Sequence, residues 1–338
     1  MDAIFMVGEQ RSGSNLLRLI LNESPDIAGP HPPHVLQRMM PLVSLYGDLE
    51  RDEMFARMVD DVCRLVEHNP VPWEGIDEMG GFDRDEVRTR CRENSLIAVF
   101  GAVMDIYAEG QGAQGWVCKS MQNIRWAEEL KAYFDRPKFL YLYRDPRDVA
   151  LSFTKAVIGD KHPYFVTRQW VELQQLCLAQ RDRLGADQFF SLRYEALIAE
   201  PETVVRDLCR FLEIEFHAGM LEFHRSREAN RTSICSELWQ NVSRPIIGTN
   251  SGKFLEGLGE EQTRIVESLA GPVMDTLGYE RAFVGAGQEQ RFSADDIARF
   301  DADNEQRKAE KAELTDPEDR RRRQRQTQVL ESIRSMAS

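Results

Sequence analysis

The most constraining feature of the sequence is a short apolar run that leads into a loop containing two glycines and then into a helical pattern. Residues 3–7 are typical of a buried strand, Gly8 and Gly13 bound the polar loop, and a helix is predicted to begin near Ser14. Such a loop can turn its backbone N–H groups toward an anion, and the helix N-terminus adds partial positive charge. The segment therefore predicts an α/β fold with an anion-binding loop near its start.

Further apolar runs alternate with helical patterns along the chain. Strands are predicted at 116–119, 138–143 and 189–193, with helical segments between them. Strands that alternate with helices favour a parallel sheet covered on both faces. We therefore expect a three-layer α/β domain over residues 1–286, with a mostly helical insert at about 31–112.

Residues 287–338 differ from this domain because they are rich in charge and poor in large apolar side chains. The run Arg320–Arg323 is basic, but acidic residues surround it, so a solvated helix or frayed tail is favoured over a nucleic-acid patch. We expect a charged helical or flexible tail. Its helix is also the candidate contact for a homo-oligomer.

The overall charge and composition limit the partners. A formal net charge of -13 disfavours binding to nucleic acid. The chain has no run near the ~20 apolar residues needed to cross a bilayer and no signal-peptide pattern at its start, so we expect a cytoplasmic protein. The six cysteines and six histidines are dispersed without zinc spacing, so reduced thiols and no metal site are expected.

The anion-binding loop between Gly8 and the predicted helix lacks one residue that nucleotide-binding loops usually have. A Walker A motif places Gly-Lys-Ser or Gly-Lys-Thr where residues 13–15 read Gly-Ser-Asn, so Arg11 is the nearest cation. Nucleoside triphosphates need the lysine and Mg²⁺ to offset the γ-phosphate charge. A P-loop nucleotide kinase with an unusual loop, or a turn without a ligand, remain alternatives at this point.

The loop resembles the 5'-phosphosulfate loop of sulfotransferases that use 3'-phosphoadenosine 5'-phosphosulfate (PAPS), which reads [Arg/Lys]-x-Gly-[Ser/Thr]-[Thr/Ser]-Leu. The matching residues are Arg11, Ser12, Gly13, Ser14, Asn15 and Leu16. Asn15 replaces a hydroxyl residue, but its amide can still donate to an anion. Because a sulfonate carries less charge than a phosphoryl group, the resemblance implies binding by an arginine and backbone amides without a metal ion.

A second motif follows the predicted strand at 138–143. It is similar to the 3'-phosphate segment of the same family, in which an arginine and a serine eight residues later contact the 3'-phosphate; Arg144 and Ser152 have that spacing. Ligands of α/β sheets bind at the carboxyl ends of strands, which is where Arg144 lies. The alternative is a structural pairing of Arg144 with Asp148.

Weaker similarities extend the resemblance over most of residues 1–280. Lys119 ends a strand, as does the family lysine that approaches the sulfonate, and Tyr194 matches a tyrosine near the adenine. The family's basic segment for the 3'-phosphate is replaced by Ile-Gly-Thr at 247–249. Arg244 and Lys253 are the candidates to substitute for it.

The catalytic histidine of cytosolic aryl and steroid sulfotransferases has no counterpart here, since Met121 occupies its position. Other branches of the family place a carboxylate shortly after the phosphate helix, where this chain reads Pro-His-Pro-Pro-His at 30–34. An imidazole with a pKa near neutrality is suited to take the acceptor proton. His34 or His31 is therefore the predicted base, and Glu9 is a third candidate.

The resemblance implies a three-layer fold like that of P-loop NTPases and the transfer of a sulfonate from PAPS to a hydroxyl or amine. Adenosine 3',5'-bisphosphate (PAP) is released, with Arg11 and Lys119 stabilising the developing charge. An inactive PAP-binding scaffold is the other alternative. Residues 48–93 contain 14 acidic and 7 basic side chains, so a small or neutral acceptor is expected if this segment covers the acceptor site.

Overall fold

A five-stranded parallel sheet forms the centre of the protein in the computed structural model, which describes residues 1–76 and 80–337. The strands are β1 (Asp2–Gly8), β2 (Ile27–Ala28), β3 (Gly115–Cys118), β4 (Lys138–Tyr143) and β5 (Phe189–Arg193). Their spatial order is β2-β3-β1-β4-β5. Because all the strands run in one direction, the loops that follow β1, β3, β4 and β5 meet at one edge of the sheet.

Helices connect the strands and cover the sheet. Those before β4 are α1 (Ser14–Asn22), α2 (Val35–Met39), α3 (Asp52–Glu67), α4 (Arg84–Arg90), α5 (Leu96–Gly110) and α6 (Ala127–Tyr133). Those after β4 are α7 (Pro146–Lys155), α8 (Pro163–Arg181), α9 (Tyr194–Ala199), α10 (Pro201–Leu212), α11 (Arg227–Cys235), α12 (Phe254–Gly257), α13 (Glu260–Thr276), α14 (Ala294–Leu314) and α15 (Pro317–Arg334). Short 3₁₀ helices span Met40–Tyr46, Met121–Trp126, Ala218–Arg225, Glu237–Ser243 and Ser335–Ala337.

Apolar cores lie on both faces of the sheet. On one face Phe5 packs against Trp116 and Phe139 beneath α5 and α8. On the other face Leu140 packs with apolar residues of α1 and α10. A strand such as β1 is apolar at successive positions because each of its side chains enters one of these two cores. The predicted three-layer α/β fold with a parallel sheet is confirmed.

The C-terminal segment differs from the expected solvated tail, because it forms α14 and α15 and packs on the rest of the chain. In α14 the Asn304 side chain is 2% exposed and accepts hydrogen bonds from the backbone N–H groups of Lys161 and His162. In α15 Val329 and Ile333, four residues apart, are buried together on one face. Asp319 and Gln326 are buried as well, so polar contacts and these apolar side chains together hold the charged helix on the rest of the chain.

The cysteines have free thiols, and five of the six are buried. In the part of the chain that the structure describes, no helix has the length and apolar character to span a membrane. The same residues include no group of three His, Cys, Asp or Glu side chains that could hold a metal ion.

Candidate functional site

A cavity of about 830 Å³ opens at the carboxyl edge of the sheet. Thirteen of the fourteen site residues predicted from the sequence line it: Arg11, Gly13, Ser14, Asn15, Leu16, His31, His34, Lys119, Arg144, Ser152, Tyr194, Arg244 and Lys253. Ser12 is fully buried and does not line the cavity. The fold thus brings together segments that are up to 242 positions apart in the sequence, from Arg11 to Lys253.

The loop after β1 curls tightly because two of its residues adopt left-handed backbone conformations. Arg11 has φ 65° and Gly13 has φ 89°, and α1 begins directly afterwards at Ser14. A Cβ atom on Gly13 would lie 2.4 Å from the ring of Tyr194. The side-chain oxygens of Ser12 and Asn15 are buried without a hydrogen-bond partner among the described residues. The N-terminus of α1 therefore forms a cradle suited to an anion, and the Ser12 hydroxyl is a further donor without a described partner, whereas the Asn15 oxygen can only accept.

Replacing Gly13 with alanine is expected to destabilise the protein, because the new methyl group meets the Tyr194 ring in addition to the unfavourable backbone conformation. Gly278→Ala is the matched control, since Gly278 ends α13 with φ 73° and has open space around it. We expect Gly13→Ala to lower the free energy of unfolding by about 1–3 kcal/mol more than Gly278→Ala, measured by urea denaturation. Equal losses would show that the Tyr194 contact is unimportant.

Arg11 and Arg144 connect the two predicted phosphate-binding motifs. The Arg11 Nε atom donates to Ser152 Oγ at 3.0 Å, and Arg144 donates to the Arg11 carbonyl at 3.1 Å. The Arg144 guanidinium also lies over the Tyr194 ring, 4.5 Å from its centroid. The structural pairing of Arg144 with Asp148 is present at 3.3 Å, but Arg144 Nε has no partner among the described residues. Arg144 thus has a donor left for a ligand.

Asp148 fixes the segment that carries Lys253. Its carboxylate accepts hydrogen bonds from the backbone N–H groups of Gly252 and Phe254 at 2.8 and 2.9 Å. Nearby, Asn250 donates to the Tyr194 hydroxyl at 2.6 Å. Asp148, the one carboxylate that lines the cavity among the described residues, is therefore engaged by the protein itself.

Lys119 is a buried cation without an ion-pair partner among the described residues. It is 8% exposed, and the charges that act on it include those of Arg18 and Arg11. Burial, followed by repulsion from these arginines, lowers the pKa of Lys119 to about 7. Burial and repulsion from Arg144 similarly lower the pKa of Arg11 to about 10. Both side chains would be stabilised in their charged forms by an anion in the cavity.

The two histidines of the 30–34 segment have different surroundings. His31 is 4% exposed, its ring centroid lies 4.5 Å from that of Trp239, and its Nε2 atom has no described partner. Asn69 Nδ2 donates to the His31 carbonyl at 2.8 Å and lies 3.3 Å from His31 Nδ1. His34 is partly exposed and precedes α2 with φ 57°.

Both imidazoles are neutral at neutral pH. Burial and then the charge of Lys119 hold the pKa values of His31 and His34 well below the usual range. The Asn69 atom next to His31 Nδ1 is the amide nitrogen, since it donates to the carbonyl groups of His31 and Val71. A donor at this place disfavours a proton on Nδ1, so the His31 tautomer with its proton on Nε2 is favoured. His34 is therefore the better placed of the two to accept a proton.

Glu9 and Met121 are buried beside the start of the loop after β1. The Glu9 carboxylate is fully buried, accepts from Gln169 Nε2 at 2.8 Å and does not line the cavity. Burial raises the pKa of Glu9 to about 7. Met121 is fully buried and lies close to Gly8. Neither residue is placed to receive a proton from a bound acceptor.

The cavity is strongly basic although the chain is acidic overall. The cationic residues that line it are Arg11, Arg38, Lys119, Arg144, Lys155, Arg244, Lys253 and Arg323. Within 48–93 the described residues that line it are Asn69 and Pro70, so the acidic side chains described there point elsewhere. The acidic excess at 48–93 therefore gives no reason to expect a neutral acceptor.

The polar residues that line the cavity but were not predicted from the sequence include Arg38, Arg323 and Gln326. Arg38 lies one helical turn after His34, and that spacing was the available signal. The other two come from α15, whose contact with the cavity depends on tertiary packing.

A family profile described as "Sulfotransferase family" matches residues 3–218, which include all five strands and the first ten helices. The chain therefore belongs to the sulfotransferase family. This agrees with the loop at 8–15 and the segment at 144–152.

Curated relatives include a protein-tyrosine sulfotransferase of Drosophila melanogaster, 23% identical over 288 residues, which cover 83% of this chain and 52% of the relative. Protein-tyrosine sulfotransferase A of Caenorhabditis elegans is 21% identical over 285 residues, covering 82% of this chain and 67% of the relative. The chain thus spans about half the length of the Drosophila protein.

Two solved structures share the fold. The sulfotransferase domain of the Synechococcus PCC 7002 olefin synthase has a TM-score of 0.54 at 20% identity, covering 83% of this chain and 95% of that domain. The sulfotransferase domain from the curacin biosynthetic pathway has a TM-score of 0.55 at 22% identity, covering 83% of this chain and 99% of that domain.

Proposed function

We propose that this protein is an enzyme that transfers the sulfonate of PAPS to a hydroxyl group of an acceptor and releases PAP. The observation that carries the proposal is the joining of two phosphate-binding motifs in one basic cavity, through Arg11, Ser152 and Arg144. In the part of the chain that the structure describes, eight cationic side chains line this cavity against the single carboxylate of Asp148. A compact ligand with several negative charges suits this environment.

The residues present fit PAPS at both of its anionic ends. The N-terminus of α1, Arg11 and Lys119 would hold the 5'-phosphosulfate, and the Ser14 hydroxyl and the Asn15 amide nitrogen are further donors on residues that line the cavity there. The free Nε of Arg144 supports its assignment to the 3'-phosphate. Because these cations offset the charge of the donor, we propose that no metal ion is required.

Four further residues complete the proposed donor site. Ser152 is assigned to the 3'-phosphate with Arg144, and Arg244 and Lys253 substitute for the basic segment that the family usually carries. Tyr194 lies against Gly13 and Arg144 and is assigned to the adenine. Each of these residues lines the cavity, which is what the assignment requires.

In the proposed mechanism His34 takes the proton of the acceptor hydroxyl. When bound, PAPS supplies the sulfonate: the acceptor oxygen forms a bond to sulfur as the bond from sulfur to the phosphate oxygen of PAP breaks. Lys119 and Arg11 stabilise negative charge on the sulfonate and the leaving oxygen. His31, held by Asn69 and Trp239, shapes the wall beside His34.

Phenolic hydroxyl groups are the first class of acceptor to test. The relatives described as protein-tyrosine sulfotransferases are named for a tyrosine acceptor, and the aromatic side chain of Trp239 lines the cavity beside His31. An aromatic ring can pack against an indole with favourable energy.

The proposal is tested by titrating PAP, and separately ATP with Mg²⁺, into the purified protein by calorimetry. We expect metal-independent binding of PAP that weakens about 10- to 100-fold in Arg144→Ala, because charged hydrogen bonds contribute about 1.5–3 kcal/mol. Arg136→Ala is the control, since Arg136 is exposed and does not line the cavity.

The outcomes separate the alternatives. Binding of ATP with Mg²⁺ in place of PAP would move the protein to the nucleotide kinases. PAP binding without sulfonate transfer from PAPS to any hydroxyl compound would favour an inactive PAP-binding scaffold. Indifference to PAP would overturn the proposal.

A further inference from the structure

The basic residues of the cavity lie on two sides of the histidines. Arg11 lies in the loop after β1. Arg144 lies just before α7, and Lys155 is the last residue of that helix. Lys253 lies in the segment bound to Asp148. Lys119 interacts electrostatically with Arg11, on this donor side.

Helices α2 and α15 line another part of the cavity with Arg38 and Arg323. The Trp239 ring centroid lies 4.5 Å from that of the His31 ring and 5.4 Å from the guanidinium carbon of Arg323, and Arg38 follows His34 by one helical turn. The charges of both arginines act on His34. These two arginines thus adjoin the proposed base rather than the residues assigned to PAPS, which is the position expected for an acceptor.

Arg38 carries a charge that the protein does not neutralise. Its Nη1 atom donates to Gln326 Oε1 at 2.6 Å, which is a neutral partner, and no carboxylate lies within 4.0 Å of it among the described residues. Burial and then the charge of Arg323 lower the pKa of Arg38 to about 10. A partly buried guanidinium without a counter-ion is less favourable than one whose charge is paired, and a ligand could supply the missing anion.

Arg323 is held at the same side by α15. Asp319 accepts from its Nε atom at 2.8 Å, and its guanidinium carbon lies 5.4 Å from the centroid of the Trp239 ring. Gln326 donates to the Leu65 carbonyl at 2.7 Å, which fixes α15 against α3. This side of the cavity is therefore a rigid surface with two arginines. Asp319 neutralises the charge of Arg323, whereas the charge of Arg38 has no described counter-ion.

We propose that Arg38 and Arg323 form an anion subsite that selects a hydroxyl acceptor bearing a carboxylate. The inference rests on the proposed function, and it replaces the expectation of a neutral acceptor. A carboxylate can accept two parallel hydrogen bonds from a guanidinium, and its single charge matches the one arginine that lacks a counter-ion. A phosphate would bring a second charge that this side of the cavity does not offset. Trp239, Arg323 and Gln326 lie beyond residue 218, where the family match ends.

The test compares pairs of hydroxyl compounds that differ only in charge. The pairs are para-hydroxyphenylacetate with its amide and beta-hydroxybutyrate with its amide, each titrated by calorimetry into the full chain saturated with PAP. We expect at least one carboxylate to bind about tenfold more tightly than its amide, as a charged hydrogen bond provides. This preference should disappear in Arg38→Met and remain in Arg57→Met, because Arg57 is exposed on α3 and does not line the cavity.

The wild-type comparison stands even if a variant folds poorly, and unchanged PAP affinity in Arg38→Met shows that the donor site is intact. Equal binding within both pairs, no binding of any compound, or a preference that persists in Arg38→Met would overturn the anion subsite. Failure to bind PAP at all would instead overturn the proposed function. The two failures are therefore distinguished in the same samples.

Discussion

Replacing His34 with glutamine is expected to lower kcat by about 10²- to 10⁴-fold, the usual contribution of a general base. His34 is partly exposed in the cavity, neutral, and lies beside Lys119, so it can take the acceptor proton while the lysine stabilises the sulfonate. The rate is measured with radiolabelled PAPS and para-hydroxyphenylacetate. PAP affinity should change little, because glutamine keeps the size and polarity of the side chain.

His31→Gln is the matched control for this prediction. We expect a smaller loss of kcat, because the Asn69 contact favours the tautomer in which His31 Nε2 already carries a proton. A larger loss in His31→Gln than in His34→Gln would transfer the role of base to His31. Unchanged rates in both variants would require a base outside the 30–34 segment.

The pH dependence gives a second check on the base. Burial and Lys119 hold the pKa of His34 well below its usual range, and the negative charge of the bound donor raises it again. Because only the neutral imidazole accepts a proton, kcat should fall as the pH falls through the imidazole pKa of the complex. This acid limb should be absent in His34→Gln.

Replacing Lys119 with methionine is expected to lower kcat by about 10²- to 10³-fold, as does the loss of one preorganised donor to a developing charge. Lys119 is buried at the end of β3 and has no ion-pair partner among the described residues. Lys155→Met is the control, since Lys155 lines the same cavity but is exposed. A fall in kcat that is equal in the two variants would show that only the total charge of the cavity matters.

Lys119 should also take up a proton when PAP binds. Its pKa is about 7 in the free protein, so at pH 8 or so the amine is mostly neutral, and a nearby phosphate raises its pKa. We expect PAP binding near that pH to take up close to one proton, detected by calorimetry in buffers with different ionisation enthalpies. The uptake should disappear in Lys119→Met. Uptake of the same size in the variant would assign it to another group.

The part of the cavity wall that we assign to PAPS was largely predictable from the sequence, because the signals for its elements are local. The apolar run before Gly8, the turn glycine Gly13 and the strand at 138–143 followed by Pro146 specify elements by short-range rules. The order of strands in a parallel sheet then brings their carboxyl ends together. For this reason, residues that were predicted separately from short motifs lie together around one cavity.

The acceptor side was not predictable, because it depends on contacts between distant segments. Residues 317–334 read as a charged solvated helix, and nothing local indicates that Val329 and Ile333 anchor it. The prediction of a neutral acceptor used the charges at 48–93 without knowing which way the side chains point. The sequence predicted helical segments between the strands at 138–143 and 189–193 but no bounds for α8, whose apolar residues are not confined to one stripe.

The position of Arg323 has a consequence for the order in which the site is made at the ribosome. Translation proceeds from the N-terminus at about 5–20 residues per second, and domains begin to fold as they emerge. The residues assigned to PAPS, ending with Lys253, leave the exit tunnel before α15 does. A nascent chain therefore acquires its nucleotide pocket several seconds before its acceptor wall is complete, and PAP or PAPS can stabilise the growing protein before any acceptor is able to bind.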